Sequence, residues 1–109
     1  MNEFQTISPE KISQMNRAAV SVISNLAEGS ARATDKDKAR FYEIAYGSAI
    51  EVLSQSIVSF ELHFINHESY DEIRSKIDEV CYLISQLRKP LVDIAKEDDS
   101  TEGEDYFVV

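Results

Sequence analysis

A chain of 109 residues has material for one domain, with an ordinary apolar share of 43% and little glycine (3) or proline (2) to spend on turns. Its formal net charge is −9, but six of the acids and none of the bases lie in residues 97–109. Residues 1–96 hold 14 acids and 11 bases, a net of −3, so the body argues against a nucleic-acid partner much less than the whole chain does. No stretch approaches the ~20 apolar residues of a membrane span. The start, MNEFQTISPEK, has neither the basic nor the apolar region of a secretory signal. One cysteine, Cys81, cannot form an internal disulfide. The expectation is a soluble cytoplasmic protein.

Apolar spacing predicts three long helices and an acidic tail. The first covers about residues 9–29. Ser8 suits the N-cap, Pro9 the first helical position and Glu10 the positive end of the helix dipole. Ile12, Met15, Ala19, Val22 and Leu26 recur at three- and four-residue spacing. Gly29 is the expected stop, in the left-handed conformation at C′.

The second predicted helix covers about 35–65, and Thr34 with Asp37 approximates a capping box. Its apolar positions, from Phe41 to Phe64, occupy more than one face, which predicts burial on two sides. Gly47 sits inside it at a cost of roughly 1 kcal/mol relative to alanine. Close approach of another helix is the expected reason. The third covers about 69–96, opened by a Ser69–Glu72 capping box. A kink or break is expected near 89–90, because Pro90 removes a hydrogen bond and disfavours helical geometry at Lys89.

Residues 1–96 thus read as one helical domain and 97–109 as a tail expected to be disordered through its acidic part. The last four residues, Tyr106 to Val109, are apolar. Three long helices with a two-sided middle member leave apolar surface without a neighbour. Contiguous exposed patches are uncommon on soluble monomers, so a homo-oligomer is expected.

Catalytic patterns are absent from the sequence. There is no G-x-S-x-G turn and no glycine-rich phosphate loop. His63 and His67 stand four apart without a further ligand motif and read as surface histidines. Cys81 reads as a small core residue. No metal, cofactor or small-molecule substrate is implied, and the expectation is a protein that is not an enzyme.

Two groups of polar residues carry more information. Asn25 and Glu28 interrupt a largely small and apolar run, and a buried polar group without a partner costs roughly 1–3 kcal/mol. With Ser48 and Glu51 of the second helix they are expected to form a polar network that fixes helix register. Arg17, Arg32, Lys36, Lys38 and Arg40 form a loose basic cluster. They are candidates for contact with phosphates, near a helix N-terminus that favours anions.

The run N-R-A-A-V-S-V-I-S-N-L-A-E-G-S-A-R, from Asn16 to Arg32, and F-Y-E-I-A-Y-G-S-A-I-E, from Phe41 to Glu51, resemble the proteins encoded in 23S rRNA intervening sequences. Asn25-Leu26-Ala27-Glu28-Gly29 and Gly47-Ser48…Glu51 carry the likeness, which covers roughly residues 12–90. The resemblance implies an all-α fold, an up-and-down antiparallel bundle of the four-helix-bundle type, often assembled as a pentameric ring. It implies no established enzymatic activity. A related protein, the accessory variability determinant of diversity-generating retroelements, is a basic pentamer that binds nucleic acid and a reverse transcriptase. By analogy, Arg17, Arg32, Lys36, Lys38 and Arg40 are the positions to test.

Two departures accompany the likeness. Only 16 residues precede the R-A-A-V-S segment, so the family's first helix is expected to be missing or shortened. Position 16 is Asn where members often carry a second arginine. The function expected is a non-enzymatic oligomeric scaffold, a pentamer or dimer, that contacts RNA or a nucleic-acid-processing partner. The alternative is a protein–protein adaptor that accepts a partner helix in an open apolar groove.

Overall fold

The computed structural model describes residues 8–98, with side chains as far as Leu91. Three helices make up the described residues, with no strand among them: α1 (Pro9–Ala31), α2 (Asp35–Glu61) and α3 (His67–Asp98). Residues 97 and 98, expected in the tail, belong to α3, and the rest of the expected tail lies outside the described residues.

Each helix starts where a short polar side chain replaces the missing hydrogen-bond acceptors of the first turn. Ser8 is extended, and its Oγ accepts the Lys11 amide at 3.2 Å. Thr34 Oγ1 accepts the Asp37 amide at 3.2 Å. The third start differs from expectation. Asn66 Oδ1 accepts the Ser69 amide at 2.7 Å, so α3 begins at His67. Glu72 pairs forward with Lys76 at 3.3 Å instead of closing a box with Ser69.

The helix ends also differ. α1 continues through Gly29 to Ala31, and the extended Arg32 caps it, its backbone N–H donating to the Gly29 carbonyl at 3.2 Å. Gly29 is needed for space and not for a left-handed turn. A Cβ there would lie 2.7 Å from Tyr42 Cε1. α2 stops at Glu61, four residues before the expected Ile65. His63 takes φ 61°, its amide bonds the Phe60 carbonyl at 3.0 Å, and the Phe64 amide bonds the Ser59 carbonyl at 2.8 Å. This is a Schellman motif with histidine in the place glycine usually takes. α3 does not end at Pro90, and Leu91 beyond it packs on the core.

Successive helices run antiparallel, as their facing pairs require. Ser21 meets Ser48 and Gly29 meets Tyr42, while Tyr70 stacks on Phe60 and Arg88 reaches Glu43. α2 lies in the middle, with α1 and α3 packed on it. No Cα of α1 comes within 8 Å of one in α3. The core is Val22, Tyr42, Ala45, Ala49 and Ile84. Small buried residues along α2 (Ala39, Ala45, Ala49, Ser56 and Ser59) let both neighbours approach. The hydroxyl of Ser56 donates to the Val52 carbonyl at 2.8 Å, so its burial leaves no donor unpaired.

This packing meets one expectation in part and corrects another. α1 and α3 cover two sides of α2, while Ile44, Ile57 and Val58 of α2 stay 39–45% exposed. The main uncovered apolar positions of the flanking helices include Ile23 (69% exposed) and Leu83 (55%). Gly47 receives no neighbour, since no heavy atom lies within 4 Å of where its Cβ would be. Between α1 and α3 runs an open groove of about 220 Å³, walled by Ile23 and Val80 and floored by Ala49 and Val52.

Candidate nucleic-acid interface

Four of the five expected basic positions gather where α1 ends and α2 begins. Arg32 is held by its own helix. Its Nε donates to the Glu28 carbonyl at 3.2 Å and its Nη2 pairs with Glu28 Oε2 at 3.1 Å. The same guanidinium lies 5.4 Å from the centre of the Phe41 ring, and the Arg40 guanidinium lies 5.6 Å from it. One partly exposed aromatic ring thus carries two guanidinium groups. Each contact is within cation–π range, worth roughly 0.5–1 kcal/mol at an exposed site.

Lys38 serves the fold. Its Nζ donates to the Ser30 carbonyl at 3.1 Å and the Gly29 carbonyl at 3.5 Å, satisfying acceptors left at the end of α1. Lys36 is exposed in the first turn of α2. Asp35 and Asp37 share that turn, and with Glu28 they bring the local balance to four bases against three acids. Arg17 is not brought to this cluster. It lies in the middle of α1, fifteen residues or about 22 Å of helix from Arg32. There it borders a polar crevice of about 160 Å³ with Gln14, Ser48 and Glu51.

The expected polar network forms in a different membership. The hydroxyls of Ser21 and Ser48 lie 2.7 Å apart, and Asn25 Nδ2 donates to the Ser21 carbonyl at 2.8 Å and to Ser21 Oγ at 3.0 Å. Ser21, absent from the expected set, is the link between Asn25 and Ser48. Glu28 belongs to Arg32, and Glu51 accepts from Gln55 Nε2 at 3.3 Å.

Sequence reasoning also missed Phe41 and a second arginine. Arg88 is 8% exposed, bonds Glu43 Oε2 at 2.9 Å, and stacks 4.2 Å from the Tyr46 ring centre. A base on the apolar stripe of α3 was the available signal for Arg88. For Phe41 it was the adjoining Arg40.

Reactive groups are quiet. His67 pairs with Asp71 at 3.0 Å and meets the Phe60 ring edge-on, while His63 sits in the α2 turn. Among the described residues no three His, Cys, Asp or Glu side chains group to hold a metal ion. Burial pushes the Cys81 thiol pKa up, the charge of Asp78 adds to this, and Arg88 opposes it. No helix among the described residues is long and apolar enough to cross a membrane.

Comparison with known proteins returns one family. The family model described as 23S rRNA-intervening sequence protein matches residues 8–86. No curated protein and no solved structure matches the chain.

Proposed function

The chain belongs to the 23S rRNA-intervening sequence protein family, and from that premise we propose that it is a non-enzymatic, cytoplasmic helical scaffold that contacts RNA. The observation that carries this reading is the pair of guanidiniums, Arg32 and Arg40, held on the Phe41 ring at one end of the molecule. Guanidinium groups bind phosphate oxygens in a fork, and a ring beside them offers a surface for an unpaired base. Such contacts are dominated by charge, weaken with salt and read little sequence. A nucleic-acid-processing protein would be recruited by the same scaffold.

The arrangement of the helices fits three corners of a four-helix bundle, with α1 and α3 across the diagonal. On this reading the groove between them is the fourth corner, where the family's leading helix would stand. Val20, Ile44 and Tyr82, large apolar side chains exposed outside the groove lining, support a homo-oligomer, a dimer or a pentamer.

The test is RNA binding by the full chain and by a variant with Arg32→Ala, Lys36→Ala and Arg40→Ala. At fixed low salt the variant is expected to bind at least tenfold more weakly. Equal affinity would remove this end of the molecule as the site.

A second reading rests on the apolar groove, which suits one face of a partner's amphipathic helix. Capture of a partner that is lost with Ile23→Glu and kept by the triple alanine variant would favour this adaptor role over RNA contact.

A further inference from the structure

We propose that the groove between α1 and α3 is the docking site of the chain's own Tyr106-Phe107-Val108-Val109 segment. This rests on the groove and not on RNA binding, so either can fail alone.

The groove offers an apolar wall on each side. Ile23 stands on α1 and Val80 on α3, with Ala49 as floor, and Leu83, three residues beyond Val80 on α3, is exposed. The single charged side chain lining its described part is Lys76, a base. An acidic segment ending in four apolar residues therefore meets apolar surface and one opposite charge, with no carboxylate in the lining to repel it.

Chain length selects the same place. α3 reaches Asp98, and Val80 lies eighteen residues back along it, about 27 Å at 1.5 Å per residue. Phe107 lies nine residues beyond Asp98, about 30 Å when extended. A tail returning along α3 thus brings Phe107 level with Val80 and Ile23 with little slack. Asp99, Glu102, Glu104 and Asp105 fall in the stretch above, which explains why the acids precede the apolar residues. A second copy or a partner helix must displace this segment to enter the groove.

The test uses the full chain with a spin label on Val109→Cys in a Cys81→Ser background, read by methyl NMR. The expected result is broadening of Ile23, Val80 and Leu83 when label and isotope share one chain. No broadening is expected when spin-labelled chains are mixed with separate isotope-labelled ones. Broadening confined to Phe41 and its surroundings would put the tail on the basic end and overturn the proposal. So would broadening in the mixed sample, which would make the occupant a second copy's tail, or no broadening anywhere. A chain with native Cys81 and only Phe107→Asp gives an independent check. The Ile23, Val80 and Leu83 methyl signals must move relative to the unaltered chain, and unmoved signals would overturn the assignment.

Discussion

Gly29 and Gly47 meet opposite surroundings, and that difference is measurable. At Gly29 a methyl group would press on the buried Tyr42 ring at 2.7 Å. Overpacking costs roughly 1–3 kcal/mol, partly offset by the ~1 kcal/mol gained in helix propensity. Gly29→Ala should therefore lower stability by up to about 2 kcal/mol. At Gly47 the methyl group meets open space, so Gly47→Ala should raise stability by about 0.5–1 kcal/mol. Urea unfolding of the two variants gives both shifts as changes of midpoint at constant slope.

Cys81 makes a second residue-scale prediction. Burial raises its thiol pKa in the folded chain, so the folded state holds the proton at pH values where the unfolded state has released it. The thiol's contribution is complete below the unfolded value, near 8.5, and is lost as pH rises through the folded value. Stability should fall on raising the pH above about 8.5, and Cys81→Ala should remove that part of the fall. Alkylation of the native thiol should be slower than that of a free cysteine at the same pH.

At the scale of the element, a polar clasp ties α3 to α2. Arg88 is nearly buried, pairs with Glu43 and lies on Tyr46. Removing one partner of such a pair strands the other, at a cost of a few kcal/mol. Arg88→Ala should lower stability by roughly 2–4 kcal/mol, less than full burial implies because Glu43 can regain some water. Glu43→Gln keeps an acceptor and should cost about 1 kcal/mol. Equal and negligible effects of both changes on thermal unfolding would mean the clasp is incidental.

The elements also show what the sequence could carry. Helix starts at Ser8 and Thr34 were legible because capping is local: one side chain answers an amide three residues on. Ends were not, because they depend on what lies across the interface. Gly29 looked like a stop, yet its bare backbone is what lets Tyr42 approach. Phe41 to Phe64 gave one apolar run, but the turn at His63 lies within it. The two-sided pattern of α2 signalled the packing of α1 and α3 on it, while Ile44, Ile57 and Val58 stay exposed. Site residues were legible as types and not as partners. Arg32 and Arg40 could be named as bases, whereas the ring between them and the capping work of Lys38 required the fold.

For the whole molecule, the described helices form a body of 61 × 20 × 20 Å with its character divided. One end carries Arg32, Phe41 and Arg40, and one long side carries the groove. The body is nearly balanced in charge, and most of the net −9 resides in residues 97–109. RNA contact in this setting must be local and short-ranged, since the net negative charge offers the phosphate backbone no attraction at a distance and charges more than a Debye length apart, ~10 Å at 0.1 M salt, are largely screened. A salt dependence set by a small number of phosphate contacts follows, with little discrimination among sequences.

Titration of labelled single-stranded RNA with the full chain and with the Arg32→Ala, Lys36→Ala, Arg40→Ala variant, across a salt series, probes RNA contact at the basic end most directly. Binding by the full chain should weaken as salt rises. The variant should bind with lower affinity and a shallower salt slope, by about 0.7 for each phosphate it no longer neutralises. Binding with the same affinity and slope in both proteins, or no binding by either at low salt, would contradict RNA contact at that end.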